Sequence, residues 1–192
     1  MEQIYIQDKT FTSKDFTENS LMIGEYENCI FSNCNFAASD LSAFKFIDCV
    51  FDGCNLSLAV FTKTTFRDTK FKDCKMLGLH FDACKEFGLS FSFANCQLYH
   101  SSFYKTKIKG PFFKNYVLHE NDFTECDLSS CLFDNCDLAG ATFDDTNLEK
   151  SDFTSAYHYS IDPVQNRIKK AKFSLAGVIG VLDKYDIKIK ID

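Results

Sequence analysis

Apolar residues in this chain recur every fifth position, a period that fits neither an amphipathic helix nor a simple alternating strand. From Phe11 the series runs Phe11, Phe16, Leu21, Tyr26, Phe31, Phe36, Leu41, Phe46, Phe51, Leu56, Phe61, Phe66, Phe71, Met76, Phe81. The phase then slips by two residues and resumes as Phe93, Leu98, Phe103, Ile108, Phe113, Leu118, Phe123, Leu128, Phe133, Leu138, Phe143, Leu148, Phe153. A second ladder sits two places before each centre and is mostly small: Cys29, Cys34, Ser39, Cys49, Cys54, Ala59, Thr64, Thr69, Cys74, then Cys96, Ser101, Thr106, Cys126, Cys131, Cys136, Ala141, Thr146 and Ser151. The other three places in each unit are mostly Asn, Asp, Ser, Thr or Lys. Each quintet therefore points one large and one small side chain inward.

A five-residue unit cannot bury its own apolar residue, so the units must stack. If four make one square turn, residues twenty apart lie above one another at the interstrand spacing of about 4.8 Å. One face then carries Phe at every level from Phe11 to Phe153, once the slip is included. About seven coils give a rod of roughly 35 Å, with no room inside for a ligand.

The slip falls in Cys84-Lys85-Glu86-Phe87-Gly88-Leu89-Ser90. An unbroken phase would bury Glu86, a costly place for a carboxylate. A small outward loop is expected between 84 and 92, with Phe87 or Leu89 covering the gap. Lys85, Glu86, Phe87 and Gly88 form the candidate contact loop. Phe44, Leu79, Phe91, Pro111 and Tyr116 take the small inner place and should distort the coil locally.

The repeat stops near Ser155, which divides the chain into a solenoid over 9–155 and a cap over 156–192. Asp162-Pro163 has the form of a helix N-cap and first turn, and 171–175 could close the last coil. A short helix is expected within 176–185, followed by a strand in the alternating tail 186–192. The ends of a β-helix are open edges that need cover. Val178, Ile179, Val181, Leu182, Tyr185, Ile187 and Ile189 are candidates for a homodimer interface as well as for a cap.

The triplets Cys34-Asn35-Phe36 and Cys136-Asp137-Leu138 resemble the pentapeptide-repeat proteins. That resemblance implies an all-β fold: a right-handed quadrilateral parallel β-helix with a short C-terminal helix and strand. The stretches 161–168 and 180–189 are similar to the tail of the microcin-immunity and quinolone-resistance (Qnr-like) members. Phe91–Leu98 is similar to the segment after the break in the microcin-immunity members. In that subfamily the tail makes a homodimer, and the rod is held to mimic duplex DNA and bind DNA gyrase or topoisomerase IV. The implied function is protection of that enzyme from a toxin or a quinolone-type drug. The chain lacks the long inserted loops of the Qnr-like pattern. A protein scaffold with some other partner is the competing reading.

Composition narrows these expectations. The chain has 192 residues, 45% hydrophobic, with 22 Phe, no Trp, ten Cys and two Pro. No apolar run approaches a membrane span and the first residues do not read as a signal peptide, so a cytoplasmic protein is expected. A net charge of −6 argues against nucleic acid as the direct partner. Charge is unevenly spread: residues 63–119 carry four acids and ten bases, and residues 120–152 carry ten acids and one base. The ten are Glu120, Asp122, Glu125, Asp127, Asp134, Asp137, Asp144, Asp145, Glu149 and Asp152, the candidate acidic binding surface. The bases of the middle segment are spread around the coil, where they can pair with acids one coil away.

No chemistry is expected. The cysteines are spaced in multiples of five rather than at zinc-ligand spacing, so they read as buried thiols, with no metal and no cofactor. A disulfide between stacked Cys34 and Cys54 stays open, although the coil spacing slightly exceeds the usual reach. His80, His100, His119 and His158 read as surface residues without a foreseeable carboxylate partner. Nucleophile and phosphate-loop motifs are missing, so neither catalytic residues nor a small-molecule substrate are expected.

Overall fold

The computed structural model describes residues 4–108 and 112–190. The chain coils into a parallel solenoid of about eight turns. The first ladder comprises β1 (Ile4–Gln7), β3 (Gly24–Glu27), β5 (Lys45–Ile47) and β7 (Thr65–Arg67). The second comprises β2 (Thr10–Thr12), β4 (Ile30–Ser32), β6 (Val50–Asp52), β8 (Thr69–Lys72) and β9 (Phe91–Ala94). A third continues it upward through β10 (Phe112–Lys114), β11 (Leu132–Asp134), β12 (Asp152–Phe153) and β13 (Lys172–Phe173). Two further faces are held by single bridges, such as Asn35 to Asn55 and Asp122 to Thr142.

Every step is twenty residues except at the slip, where Phe71 pairs with Phe93 and Lys75 with Gln97. The ladders thus run from Ile4 to Phe173, beyond both ends of the expected 9–155 span. Phe173 adds a coil to the seven foreseen, stacking on Phe153 at 5.5 Å. Along the Phe face the rings lie nearly parallel, with Phe11–Phe31 at 4.9 Å and Phe133–Phe153 at 4.6 Å. Offset stacking of this kind adds to burial. The widest step is Phe93–Phe113 at 6.2 Å, just above the slip.

Corners form two residues after each centre, in left-handed backbone: Asn28, Asn33, Asp48, Asp73, Asn115 and Asn135 all have φ between +51° and +59°. Asn and Asp tolerate this region better than most residues. Gly53 takes it at φ +65°, where a Cβ would collide with the Asn33 side chain one coil below.

The small inner ladder has a second job beyond fitting. Thr64 donates its hydroxyl to the Leu41 carbonyl at 2.7 Å, Thr146 to Phe123 at 2.8 Å and Ser151 to Leu128 at 2.7 Å. Cys54 and Cys74 point their thiols at the Phe31 and Phe51 carbonyls at 3.2 and 3.4 Å. Each donor lies 23 residues after its acceptor. The position thus favours small donors because an inward carbonyl would otherwise lack a side-chain partner.

At the slip, Lys85 N–H donates to Thr64 O and Ser90 N–H to Phe66 O, which pins both ends of the loop. Glu86 turns outward to Lys107 at 3.1 Å. Leu89 packs on the core and covers the gap, while Phe87 is 90% exposed. The substituted inner places are absorbed: Phe44, Leu79 and Tyr116 are buried, and Phe91 is half-buried against Phe81 and Phe93. Pro111 lies outside the described residues.

The C-terminal end departs from expectation twice. Asp162 accepts the Val164 N–H at 2.8 Å as an N-cap would, but only a turn follows. Arg167 must rejoin the ladder opposite Asn147, which leaves no length for a helix. The helix that does form is one turn, α1 (Ile179–Leu182), followed by a 3-10 turn over Asp183–Tyr185. Residues 186–190 form no strand, because no edge of the same chain is placed to pair with them.

Candidate interaction surfaces

The coil geometry distributes the ten candidate acids over all four sides rather than along one stripe. Asp134 and Asp152 flank the Phe face. Asp137 lies on the next side, with Glu120 at its corner. Asp122, Glu125, Asp144 and Asp145 flank Phe123 and Phe143 on the third side, and Asp127 and Glu149 flank Leu128 and Leu148 on the fourth.

Three of them are paired with a lysine and two more lie beside histidines. Lys114 meets Asp134 at 3.8 Å, Lys105 meets Glu125 at 3.3 Å and Lys172 meets Asp152 at 3.1 Å, each across one coil step. Glu120 lies 3.0 Å from His100. Asp137 sits between His119 and His158, both at 2.9 Å, although His119 Nε2 lies off the line a hydrogen bond requires. Lower down, Lys72–Asp52 at 3.8 Å and Lys45–Glu25 at 2.8 Å repeat the pattern. Such exposed pairs contribute little stability but they cancel field.

Burial tends to raise the Asp137 carboxyl, yet its contacts with His119 and His158 outweigh this and hold it below the ordinary carboxylate value. The remaining acids are freer. Asp122 and Asp127 accept turn N–H groups from Thr124 and Ser129. The side-chain carboxylates of Asp144, Asp145 and Glu149 have no ionic or hydrogen-bond partner among the described residues. Unpaired negative charge is therefore densest on the third side, where Asp122, Asp144 and Asp145 lie on two successive coils.

All four histidines have a carboxylate neighbour, His80 meeting Asp82 at 3.3 Å. This corrects the sequence reading, which gave them none. For His100, His119 and His158 the signal was present as acids about twenty residues away on the next coil, and for His80 as Asp82 two residues on.

The ten cysteines are free. Burial pushes Cys49, Cys126 and Cys136 up to about 12, which disfavours the reactive thiolate. Among the described residues no group of three or more His, Cys, Asp or Glu is placed to hold a metal ion. No helix there is long and apolar enough to cross a membrane.

The tail candidates divide by exposure. Val181 is buried against the rod, with Val178 and Leu182 half-buried. Ile179, Tyr185, Ile187 and Ile189 are exposed. Leu175 and Val164, not singled out by sequence, are exposed at the same end. An open groove of about 570 Å³ separates the last coil, Thr154–Ser160, from the cap around Gly177–Asp183.

Two family models match the sequence. One, described as a pentapeptide repeat region, matches residues 25–92, and the other, pentapeptide repeats in eight copies, matches 122–157. No curated protein matches it. Among solved structures, trypsin-treated QnrB1, a plasmid-mediated fluoroquinolone resistance protein, is similar at 20% identity and a TM-score of 0.48, covering 98% of both chains. Full-length QnrB1 is similar at 19% identity and 0.45, covering 95% of this chain and 100% of its own. HetL, a pentapeptide-repeat protein involved in heterocyst differentiation regulation in the cyanobacterium Nostoc, is similar at 12% identity and 0.41, covering 90% and 85%.

Proposed function

This chain belongs to the pentapeptide-repeat family, and from that premise we propose that it is a non-enzymatic, dimeric DNA mimic that binds a type II topoisomerase. It occupies the basic DNA-binding cleft of DNA gyrase or topoisomerase IV and shields the enzyme from a toxin or a quinolone-type drug. It works in the cytoplasm, where ten reduced thiols are at home.

The observation that carries this reading is the unpaired charge of Asp122, Asp144 and Asp145 on one side of a narrow rod. Fixed carboxylates on a convex surface complement a basic cleft and speed encounter. A two-fold assembly through Ile179, Tyr185, Ile187 and Ile189 doubles the length of that surface. The resemblance of the tail to the microcin-immunity and Qnr-like members points the same way.

The test is a gyrase supercoiling assay with titrated protein, with and without a quinolone. Inhibition at high protein and protection against the drug are expected, both lost in Asp122→Asn/Asp144→Asn/Asp145→Asn. No effect on supercoiling and no protection would rule the reading out.

A second reading is favoured by the lysine pairs at Glu125, Asp134 and Asp152, which neutralise part of the block. On that reading the rod is a general protein scaffold. Capture of one purified partner other than a topoisomerase, unaffected by the three Asn substitutions, would select it.

A further inference from the structure

We propose that Phe87 is a preformed hydrophobic anchor that inserts into an apolar socket rimmed by carboxylates on the protein partner. It would make the rod a two-surface ligand, acidic toward its upper end and cationic with an aromatic tip at its middle. The inference rests on the topoisomerase reading above and adds a contact of opposite chemistry to it.

Three observations carry it. First, Phe87 is 90% exposed, the highest value of any large apolar residue described, while its neighbour Leu89 does the covering of the core. The fold has therefore no use for the ring. Second, the tip is held in place. Leu89 N–H donates to Glu86 O at 3.2 Å, Gly88 takes φ +74°, and the ends of the loop are bonded to Thr64 and Phe66 carbonyls. A side chain ordered before binding loses less entropy on binding, and buried aromatic anchors dominate many interfaces. Third, the surroundings are cationic. A Cβ built on Gly88 would lie 3.5 Å from Arg67 Nε, so the guanidinium covers the turn. Arg67 and Lys85 have no acidic partner within ion-pair distance among the described residues, while the neighbouring acids are engaged, Glu86 by Lys107 and Asp68 by Ser90.

The chemistry of the partner follows. Two unpaired cations, Arg67 over the turn and Lys85 two residues before the tip, fit carboxylates beside an apolar hollow. Nucleic acid fits poorly, because the whole chain carries −6 and one ring offers no stacking series. An anionic membrane fits poorly as well, since a single Phe on a convex rod inserts too little apolar area for stable attachment.

The experiment measures binding of purified gyrase holoenzyme to the full chain and to Phe87→Ala, Phe87→Leu, Arg67→Glu/Lys85→Glu and Asp144→Asn/Asp145→Asn. Phe87→Ala should weaken binding by about tenfold or more, with Phe87→Leu within about threefold of the parent. Arg67→Glu/Lys85→Glu should weaken it most at low salt. Because Phe87 is exposed, the melting curve of Phe87→Ala should match the parent. If Phe87→Ala binds as the parent does while the Asn variant weakens, the anchor is refuted and the acidic surface stands. If the parent fails to bind, both ideas fall together. Phe87-dependent binding to anionic phosphatidylserine vesicles would assign the tip to a membrane and also overturn the proposal.

Discussion

Phe71 stacks on Phe93 at 5.5 Å although twenty-two residues separate them, where the other steps on that face are twenty. The register of the aromatic column is thus kept and the two extra residues are expelled sideways into the loop at 84–90. The alternative, an unbroken phase, would have placed Glu86 among the rings.

This relationship predicts the outcome of shortening the loop. Deleting Phe87 and Gly88 restores the twenty-residue step but moves Glu86 to a core centre. The variant should lose roughly 3–5 kcal/mol, the cost of an unpaired buried carboxylate. Adding Glu86→Leu to the deletion should recover most of the loss. Chemical denaturation of the three proteins measures both effects, and a deletion no worse than the parent would show that the loop does not protect the register.

The donor role of the small inner ladder makes a second prediction. Thr64 is fully buried and bonds the Leu41 carbonyl at 2.7 Å. Thr64→Val keeps the shape and removes the donor, so it should cost about 1 kcal/mol. Thr64→Ser keeps the donor and loses a methyl. If Val matched the parent in denaturant midpoint, size alone would govern that position.

These cases show which parts of the molecule were legible in sequence. The column from Phe11 to Phe153 was, because burial leaves a period that survives in one dimension. The preference for Cys, Ser and Thr was visible as smallness, but the carbonyl it serves lies 23 residues back and becomes visible only once the coil closes. The acids of 120–152 were equally visible as a block. Their placement on four sides, and the pairing of Glu120, Glu125, Asp134, Asp137 and Asp152, depend on the coil step. The strand expected in 186–192 is absent over the described residues 186–190 for a related reason. Alternation marks a side chain pattern, whereas a strand also needs a neighbouring edge.

Asp137 should give the structure an acid-side dependence. Its carboxyl is held below the ordinary value of 3.8, burial opposing and the two neighbouring imidazoles prevailing. A group lowered on folding stabilises above its unfolded pKa and loses that contribution as pH falls through the folded one. The stability gap between the parent and Asp137→Asn should therefore be full at pH 6 and shrink as pH falls below about 4. Melting temperatures across pH 2–6 would show it. A gap that stays constant over that range would mean the two imidazoles do not act on the carboxyl.

The tail separates capping from assembly residue by residue. Val181 is buried against the last coil, so removing it exposes the core whether or not a second copy binds. Ile187 and Ile189 are exposed at 55% and 42% and follow Asp186, which turns the chain away at φ +48°. They line a shallow groove with Ile179 and Leu182 but bury little of themselves in the cap. Ile187→Glu/Ile189→Glu should therefore convert a dimer to monomers in light scattering while leaving the melting of dilute protein nearly unchanged. Val181→Glu should lower the melting temperature at every concentration, since a charge beneath the cap is unpaired. A dimer mass that survives the double substitution would place the two-fold contact elsewhere, and the tail would then serve as a cap alone.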